Sequence, residues 1–279
     1  MVPTFRYVVA DVFTDVPLAG NQVAVFTDAR AIPEEQLQPL AREMKLSETV
    51  FVYPPSAEGN VRVRIFTPTL ELPFAGHPIL GTAFVLAGPL QLVEIRLECD
   101  AGVVPVRIER DGARIAFGRM TQPPFSHEPF EDADALLAAL RVESSGLPVE
   151  LYRQGPGHVL VELASPDEVA ALAPDFAAVA RIAGEHGAVC FARQDGHWKA
   201  RVFVPGVGID EDPATGSAAG PLALHLSRHG RIAFGDEIEI RQGVEVGRPS
   251  TLFAVARSET DVEVGGTAVV VARGEFRLP

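Results

Sequence analysis

Moving a proton on a small molecule needs few groups: a carboxylate or imidazole to take and return it, and donors to hold the substrate. In this chain such residues fall in two short stretches and at one separate position. Pro73-Phe74-Ala75-Gly76-His77-Pro78 carries His77. Asp210-Glu211-Asp212-Pro213-Ala214-Thr215-Gly216-Ser217-Ala218-Ala219-Gly220 carries three acids and a hydroxyl, and Glu48 stands in Leu46-Ser47-Glu48 at the end of another element. The second stretch reads as a loop tipping into a helix. Asp212 suits the N-cap and Pro213 the first helical position, where a missing N–H costs nothing. Gly216 and Ser217 would then leave backbone N–H groups open. A helix start with open N–H groups and a positive dipole end attracts an anion, such as a substrate carboxylate.

Each of these residues also has a plainer reading. Glu48 is equally an ordinary Glu after a helix, and His77 a histidine bonded to a core carbonyl. Asp212 can be a cap and nothing more, Ser217 a small helix residue, and Asp210 and Glu211 solvated loop acids. His225 and His229 have the i, i+4 spacing of zinc ligands. They lack the H-E-x-x-H glutamate and a third obvious ligand, so packing or surface is the better reading. Pro205-Gly206-Val207-Gly208 has no third glycine and reads as a loop, not a nucleotide cradle. Neither a P-loop nor a G-x-S-x-G elbow occurs.

The two stretches are copies of one another. Pro73 to Leu86 matches Pro213 to Leu226 without a gap: Pro73 pairs with Pro213, Gly76 with Gly216, Ala83 with Ala223 and Leu86 with Leu226. Upstream, Arg64-Ile65-Phe66-Thr67-Pro68 matches Arg201-Val202-Phe203-Val204-Pro205. Arg201 follows Arg64 by 137 residues and Pro213 follows Pro73 by 140, so the second loop has gained three. Two matches in one order at nearly one offset argue for a duplicated domain whose unit is strand, loop, helix. Both helices are apolar on almost every side and must be buried all round.

Further elements complete each half. Phe5 to Phe13, Val23 to Phe26, Val50 to Tyr53, Val61 to Phe66, Val93 to Glu98, Val103 to Glu109 and Arg114 to Gly118 read as strands, and Pro33 to Lys45 as an amphipathic helix. Met120 to His127, with Thr121-Gln122-Pro123-Pro124, is the best linker. Beyond it lie a helix at Ala133 to Arg141, a mixed helical patch at Asp167 to Ile182, and strands at Val149–Arg153, His158–Leu163, Ala188–Ala192, Trp198–Val204 and four places after residue 236. The fold class expected is α+β, in two similar halves. Each is a curved, mostly antiparallel sheet wrapped round one apolar helix that has no face to show to water. The halves are expected at 1–119 and 120–267, with a last strand near 268–279 packing back on the first half and the active site in the cleft between them, the usual place for a small-molecule site.

Composition excludes several classes. At 279 residues and 47% hydrophobic the chain can bury two cores, and 22% charged residues without low-complexity tracts fit a folded protein. A net charge of −13 argues against a nucleic-acid or anionic-membrane partner. The N-terminus has no basic leader and no apolar run reaches about 18 residues, so a cytoplasmic location is expected. Cys99 and Cys190 read as buried free thiols rather than a disulfide.

The motifs above, with Ala41-Arg42-Glu43-Met44, Gly155-Pro156-Gly157-His158-Val159 and Gln242-Gly243-Val244-Glu245-Val246-Gly247-Arg248-Pro249-Ser250, resemble the PhzF phenazine-biosynthesis isomerase family over essentially the whole chain. The resemblance implies the diaminopimelate epimerase fold, a homodimer, and a cofactor-free, metal-free isomerase. Its reaction converts trans-2,3-dihydro-3-hydroxyanthranilate to its ketone isomer. The resemblance makes Glu48 the acid–base group. It makes His77, Asp212 and Ser217 catalytic-site partners, and Ser47, Gly76, Thr215 and Gly216 substrate contacts. Two other readings stay open: a same-family isomerase of another small carboxylic acid, and a catalytically silent acid-binding relative. The epimerases of this fold use two cysteines. Here Ala75 and Thr215 stand at those positions, which argues against two-thiol racemisation and for a single carboxylate.

Overall fold

The computed structural model describes residues 3–154 and 157–278. The chain divides into two compact units: one runs to Pro123 and resumes at Gly265, the other runs from Pro124 to Val264.

In the first unit, helix α1 (Glu34–Met44) joins the parallel strands Asn21–Phe26 and Glu48–Tyr53, and helix α2 (Gly76–Leu90) joins the parallel strands Val61–Phe66 and Glu94–Cys99. Parallel neighbours need such crossovers, whereas hairpin neighbours such as Glu94–Cys99 with Gly102–Asp111 and Gly102–Asp111 with Arg114–Thr121 are antiparallel. The last strand, Ala268–Arg277, pairs antiparallel with Thr4–Val12. α1 is amphipathic and lays Leu37, Leu40 and Ala41 against Phe26, Phe51 and Phe66. α2 is buried from Gly76 through Val85, as its sequence demands. Strands including Thr4–Val12, Asn21–Phe26, Gly102–Asp111, Arg114–Thr121 and Ala268–Arg277 all touch it, so the sheet wraps the helix.

The second unit repeats the plan. Helices α4 (Pro166–Ala171) and α5 (Phe176–Ala183) lie between the parallel strands Gly157–Glu162 and Gly187–Gln194, and α6 (Gly216–Arg228) between the parallel strands His197–Val204 and Glu237–Gln242. The helical patch expected at Asp167–Ile182 is thus two helices, each with its own cap: Ser165 accepts from the Glu168 N–H, and Asp175 from the Ala178 N–H. With α3 (Ala133–Leu140) they cover the outer face of the sheet through Leu136, Val169, Val179 and Phe203. α6 is buried from Gly216 through Ser227.

The duplication holds at the level of strand register. Ile65 faces Leu72 in the first unit, and Val202 faces Asp212 in the second. Val61 pairs with Leu97 and Trp198 with Ile240. The two-residue strand Glu71–Leu72 and its counterpart Ile209–Asp212 are too short for an alternation pattern to reveal. The stretch Met120–His127 is less loop than its prolines suggest, because the strands Arg114–Thr121 and Ser126–Pro129 enter it from either side. Both cysteines are free; Cys190 is buried as expected, but Cys99 is only half-buried.

Candidate active site

Glu48 is the first residue of its strand and pairs with Val23 across the parallel ladder. Its side chain is 12% exposed, and its Oε2 lies 3.1 Å from Nε2 of His77, whose side chain is 4% exposed. His77 is the second residue of α2. Its Nδ1 meets the Asn21 Nδ2 at 3.2 Å, and its Nε2 also faces the Gln22 carbonyl at 3.3 Å. The amide of Asn21 donates into Nδ1, so the ring proton sits on Nε2 and is donated to the Gln22 carbonyl, with the Glu48 carboxylate in close contact beside it. Burial holds the His77 imidazole down at about 3, well below its ordinary range, so the ring is a neutral donor near pH 7. Asn21 is placed by the turn before it. Gly20 has φ +67, and a Cβ there would stand 2.3 Å from the Val12 carbonyl oxygen, so only glycine closes this turn. Gly76 opens α2, and Ser47 directly precedes Glu48. A helix leaves its first N–H groups without intrahelical acceptors, which here includes those of Gly76 and His77.

The second cluster is built on the matching turn. The sequence placed Asp212 at the helix N-cap and Pro213 at the first helical position. The structure corrects both: Thr215 is the N-cap and α6 begins at Gly216. Asp212 remains in a strand, paired with Val202, and cannot enter the helix. Its buried carboxylate instead accepts the Thr215 hydroxyl at 2.6 Å. Gln242 locks this turn: its Oε1 accepts the Thr215 N–H at 3.1 Å, and its Nε2 donates to the Asp212 carbonyl at 2.7 Å and to Thr215 Oγ1 at 3.0 Å. Gly243, at φ +80, permits this. A Cβ there would lie 2.3 Å from the Arg248 oxygen and 2.4 Å from that of Pro213. Ser217, the second residue of α6, does not bond to Asp212; its Oγ lies 2.9 Å from Nε2 of His158, and both are buried.

At the strand start that matches Glu48 the second unit has a glycine, Gly187. The parallel ladder that begins at Val23 and Glu48 in one unit begins at His158 and Gly187 in the other. Glu211, expected as a solvated acid, is clamped: Arg201 donates to it from Nε at 2.9 Å and from Nη2 at 2.6 Å. The first unit has the same fork, Arg64 to Glu71, at 2.7 Å for each bond. Asp210 is exposed, as a loop acid should be.

A third ligand-type side chain does stand beside His225 and His229. The Oε2 of Glu150 lies 3.2 Å from His225 Nδ1 and 3.3 Å from His229 Nε2. That oxygen also accepts from Arg228 at 2.6 Å and from the Tyr152 hydroxyl at 3.0 Å. A guanidinium fixed on the shared oxygen puts positive charge where a cation would sit, so this group is a buried ion-pair network, and packing is the better account of the two histidines.

Asn21, Gln22, His158 and Gln242 were missed as site residues. His158 and Gln242 lie in motifs that carried the family resemblance, Gly155-Pro156-Gly157-His158-Val159 and Gln242-Gly243; Gly155 and Pro156 lie outside the described residues.

A model of the phenazine biosynthesis-like protein family matches residues 10–274. The chain belongs to this family. It is 46% identical over 277 residues to a trans-2,3-dihydro-3-hydroxyanthranilate isomerase from Pseudomonas aeruginosa, covering 98% of this chain and 99% of that one. It is 48% identical to the enzyme of the same name from Pseudomonas fluorescens over 278 residues, again 98% and 99% of the two chains. Among solved structures, a predicted epimerase from Pseudomonas aeruginosa superposes with a TM-score of 0.83 at 30% identity, over 98% of this chain and 99% of that one. The family fold expected from the sequence is the one observed, two like units each with a sheet around a buried helix.

Proposed function

We propose that this chain is a trans-2,3-dihydro-3-hydroxyanthranilate isomerase acting in phenazine biosynthesis. The observation that carries the reading is near-full-length identity of 46–48% to enzymes of that name. The Glu48–His77 pair supplies chemistry that suits it. In the proposed reaction the Glu48 carboxylate takes the proton from the hydroxyl-bearing ring carbon. The double bonds shift, and the protonated Glu48 returns the proton to the carbon at the far end of the conjugated system. The enol so formed tautomerises to the ketone. One C–H bond breaks and another forms, with no net oxidation. A positioned base of this kind contributes about 10²–10⁴-fold. The neutral His77 ring stands against the carboxylate without neutralising it. Gly76 and Gly216 are proposed to offer backbone N–H groups to the substrate carboxylate, and Ser47, Asp212, Thr215 and Ser217 to orient the substrate.

No helix of the described residues is long and apolar enough to cross a membrane. The reading places the protein in the cytoplasm as a homodimer, which light scattering on the purified chain would check.

The test is incubation with trans-2,3-dihydro-3-hydroxyanthranilate in heavy water, following ultraviolet absorbance and deuterium in the product. Glu48→Gln should fold normally and lose turnover by about 10²-fold or more. Wild-type protein that leaves this substrate unchanged would end the reading; a Glu48→Gln variant of near-native rate would end the role given to that residue.

A further inference from the structure

Among the described residues, the Ser217 hydroxyl is held from one side only. His158 Nε2 stands 2.9 Å from its Oγ, and the ring's other nitrogen, Nδ1, is buried with no hydrogen-bond partner among them. Histidine and serine at this distance invite comparison with a nucleophile and its base. The surroundings exclude it. A base of that kind needs an acceptor on its second nitrogen to orient and stabilise the imidazolium, and His158 has none among the described residues. Burial also keeps the ring neutral, down at about 3.

The tautomer follows from the same bare nitrogen. A proton on Nδ1 would leave a buried N–H without an acceptor, a costlier and rarer state than a bare lone pair. The proton therefore sits on Nε2 and is donated to Ser217. A hydroxyl that accepts there keeps its own hydrogen for another acceptor. The first unit has a counterpart. Ser217 occupies the place in α6 that His77 occupies in α2, and His77 is held by Asn21, also from the N-terminal end of a strand. In each unit a buried polar side chain of a strand start thus orients the second residue of the buried helix. Gly187 makes room for the ring: a Cβ there would lie 3.0 Å from His158 Nδ1.

We propose that His158 is a positioning residue that donates Nε2–H to Ser217 and so presents the serine hydroxyl as a hydrogen-bond donor to the anionic substrate. The inference rests on the reading above, in which Ser217 meets the substrate.

Two measurements test it. On the unaltered protein, nitrogen-15 NMR of the imidazoles should show His158 protonated at Nε2 and bare at Nδ1. A proton on Nδ1, or an imidazolium at pH 7, overturns the inference, and this readout does not depend on any variant folding. In kinetics with trans-2,3-dihydro-3-hydroxyanthranilate, His158→Leu should lower kcat/KM about tenfold, mainly through KM, and His158→Gln, which keeps a donor, should recover most of it. In a Ser217→Ala background His158→Leu should cost nothing further. A full additional loss there, or His158→Leu at wild-type efficiency beside a slowed Ser217→Ala, sinks the positioning role and leaves the function standing. A Ser217→Ala enzyme of native efficiency removes Ser217 from the site and this inference with it.

Discussion

At the scale of single residues, the chemistry of the first cluster depends on how the His77 ring is held, and Asn21 and Gln22 share that task. The Asn21 amide meets Nδ1 at 3.2 Å and leaves Nε2–H for the Gln22 carbonyl, so that the ring is held beside Glu48 from both nitrogens. Asn21→Leu removes the donor that pins the Nδ1 side of the ring and lets the imidazole turn out of its contact with the carboxylate. The expected result is a folded protein whose kcat falls about tenfold with little change in KM, because orientation of the base rather than ground-state binding is lost. Steady-state kinetics with circular dichroism as the folding control would check it, and an unchanged kcat would show that the Asn21 tether does not matter. The same cluster shows what a sequence can reveal of a site. His77 and Ser217 were visible because the repeat set them at one place in two copies. Their supports were not, because Asn21 lies 56 residues from His77 and His158 lies 59 from Ser217. Only the pairing of strands brings such partners together, and a lone Asn or His on a strand has no pattern of its own.

At the scale of elements, the loop before each buried helix is tied down by one arginine. The Arg–Glu forks Arg64–Glu71 and Arg201–Glu211 bracket the short strand that carries the chain into α2 or α6. The matched arginines were legible as part of the repeat; their acids were not, because the loops differ by three residues and Glu211 sits among other acids that suggest solvent. The two forks differ in burial. Side chains in the Arg201–Glu211 pair are 9% and 8% exposed, against 18% and 30% for Arg64–Glu71, and Arg64 has a second acceptor in Glu34 at 2.6 Å. Removing one partner of a buried pair strands the other charge at a cost of about 3–5 kcal/mol. A half-exposed pair with a substitute partner is worth about 1 kcal/mol or less. Glu211→Ala should therefore be far more destabilising than Glu71→Ala, read as the shift in urea midpoint of each variant. Equal shifts would mean that burial is not what separates the forks. The helix starts were misread for a related reason: Asp212 and Pro213 have the chemistry of a cap and a first turn, but a strand pairing with Val202 claims Asp212 first. Local propensity lost to a tertiary hydrogen bond, as it does where a loop is short and wholly buried.

At the scale of the whole molecule, burial of three histidines as neutral rings makes stability depend on acid. Burial lowers His77 and His158 to about 3 and His225 to about 4. In the unfolded chain each titrates near 6.5. Between about pH 4 and 6.5 the unfolded state therefore binds up to three more protons than the folded one, and stability rises with pH across that window. The contribution is fully present above about 6.5 and is lost as the pH falls toward the folded values. At about 1.4 kcal/mol per proton per pH unit, three rings give a slope of about 4 kcal/mol per pH unit near pH 5. Glu150 adds a later loss. Burial alone would raise its carboxyl, but hydrogen bonds from Arg228, His229 and Tyr152 outweigh that and hold it at about 2. Its contribution is therefore present above about 4.5 and disappears only as the pH drops below that value. Two of the three rings and Glu150 belong to the unit from Pro124 to Val264, so that unit should lose cooperative structure first on acidification. Urea unfolding at pH 5, 6 and 7, with hydrogen exchange resolved by unit, would show both effects. Midpoints that stay level from pH 7 to 5 would mean that the three rings gain protons in the folded state as readily as in the unfolded chain, so that burial does not keep them neutral.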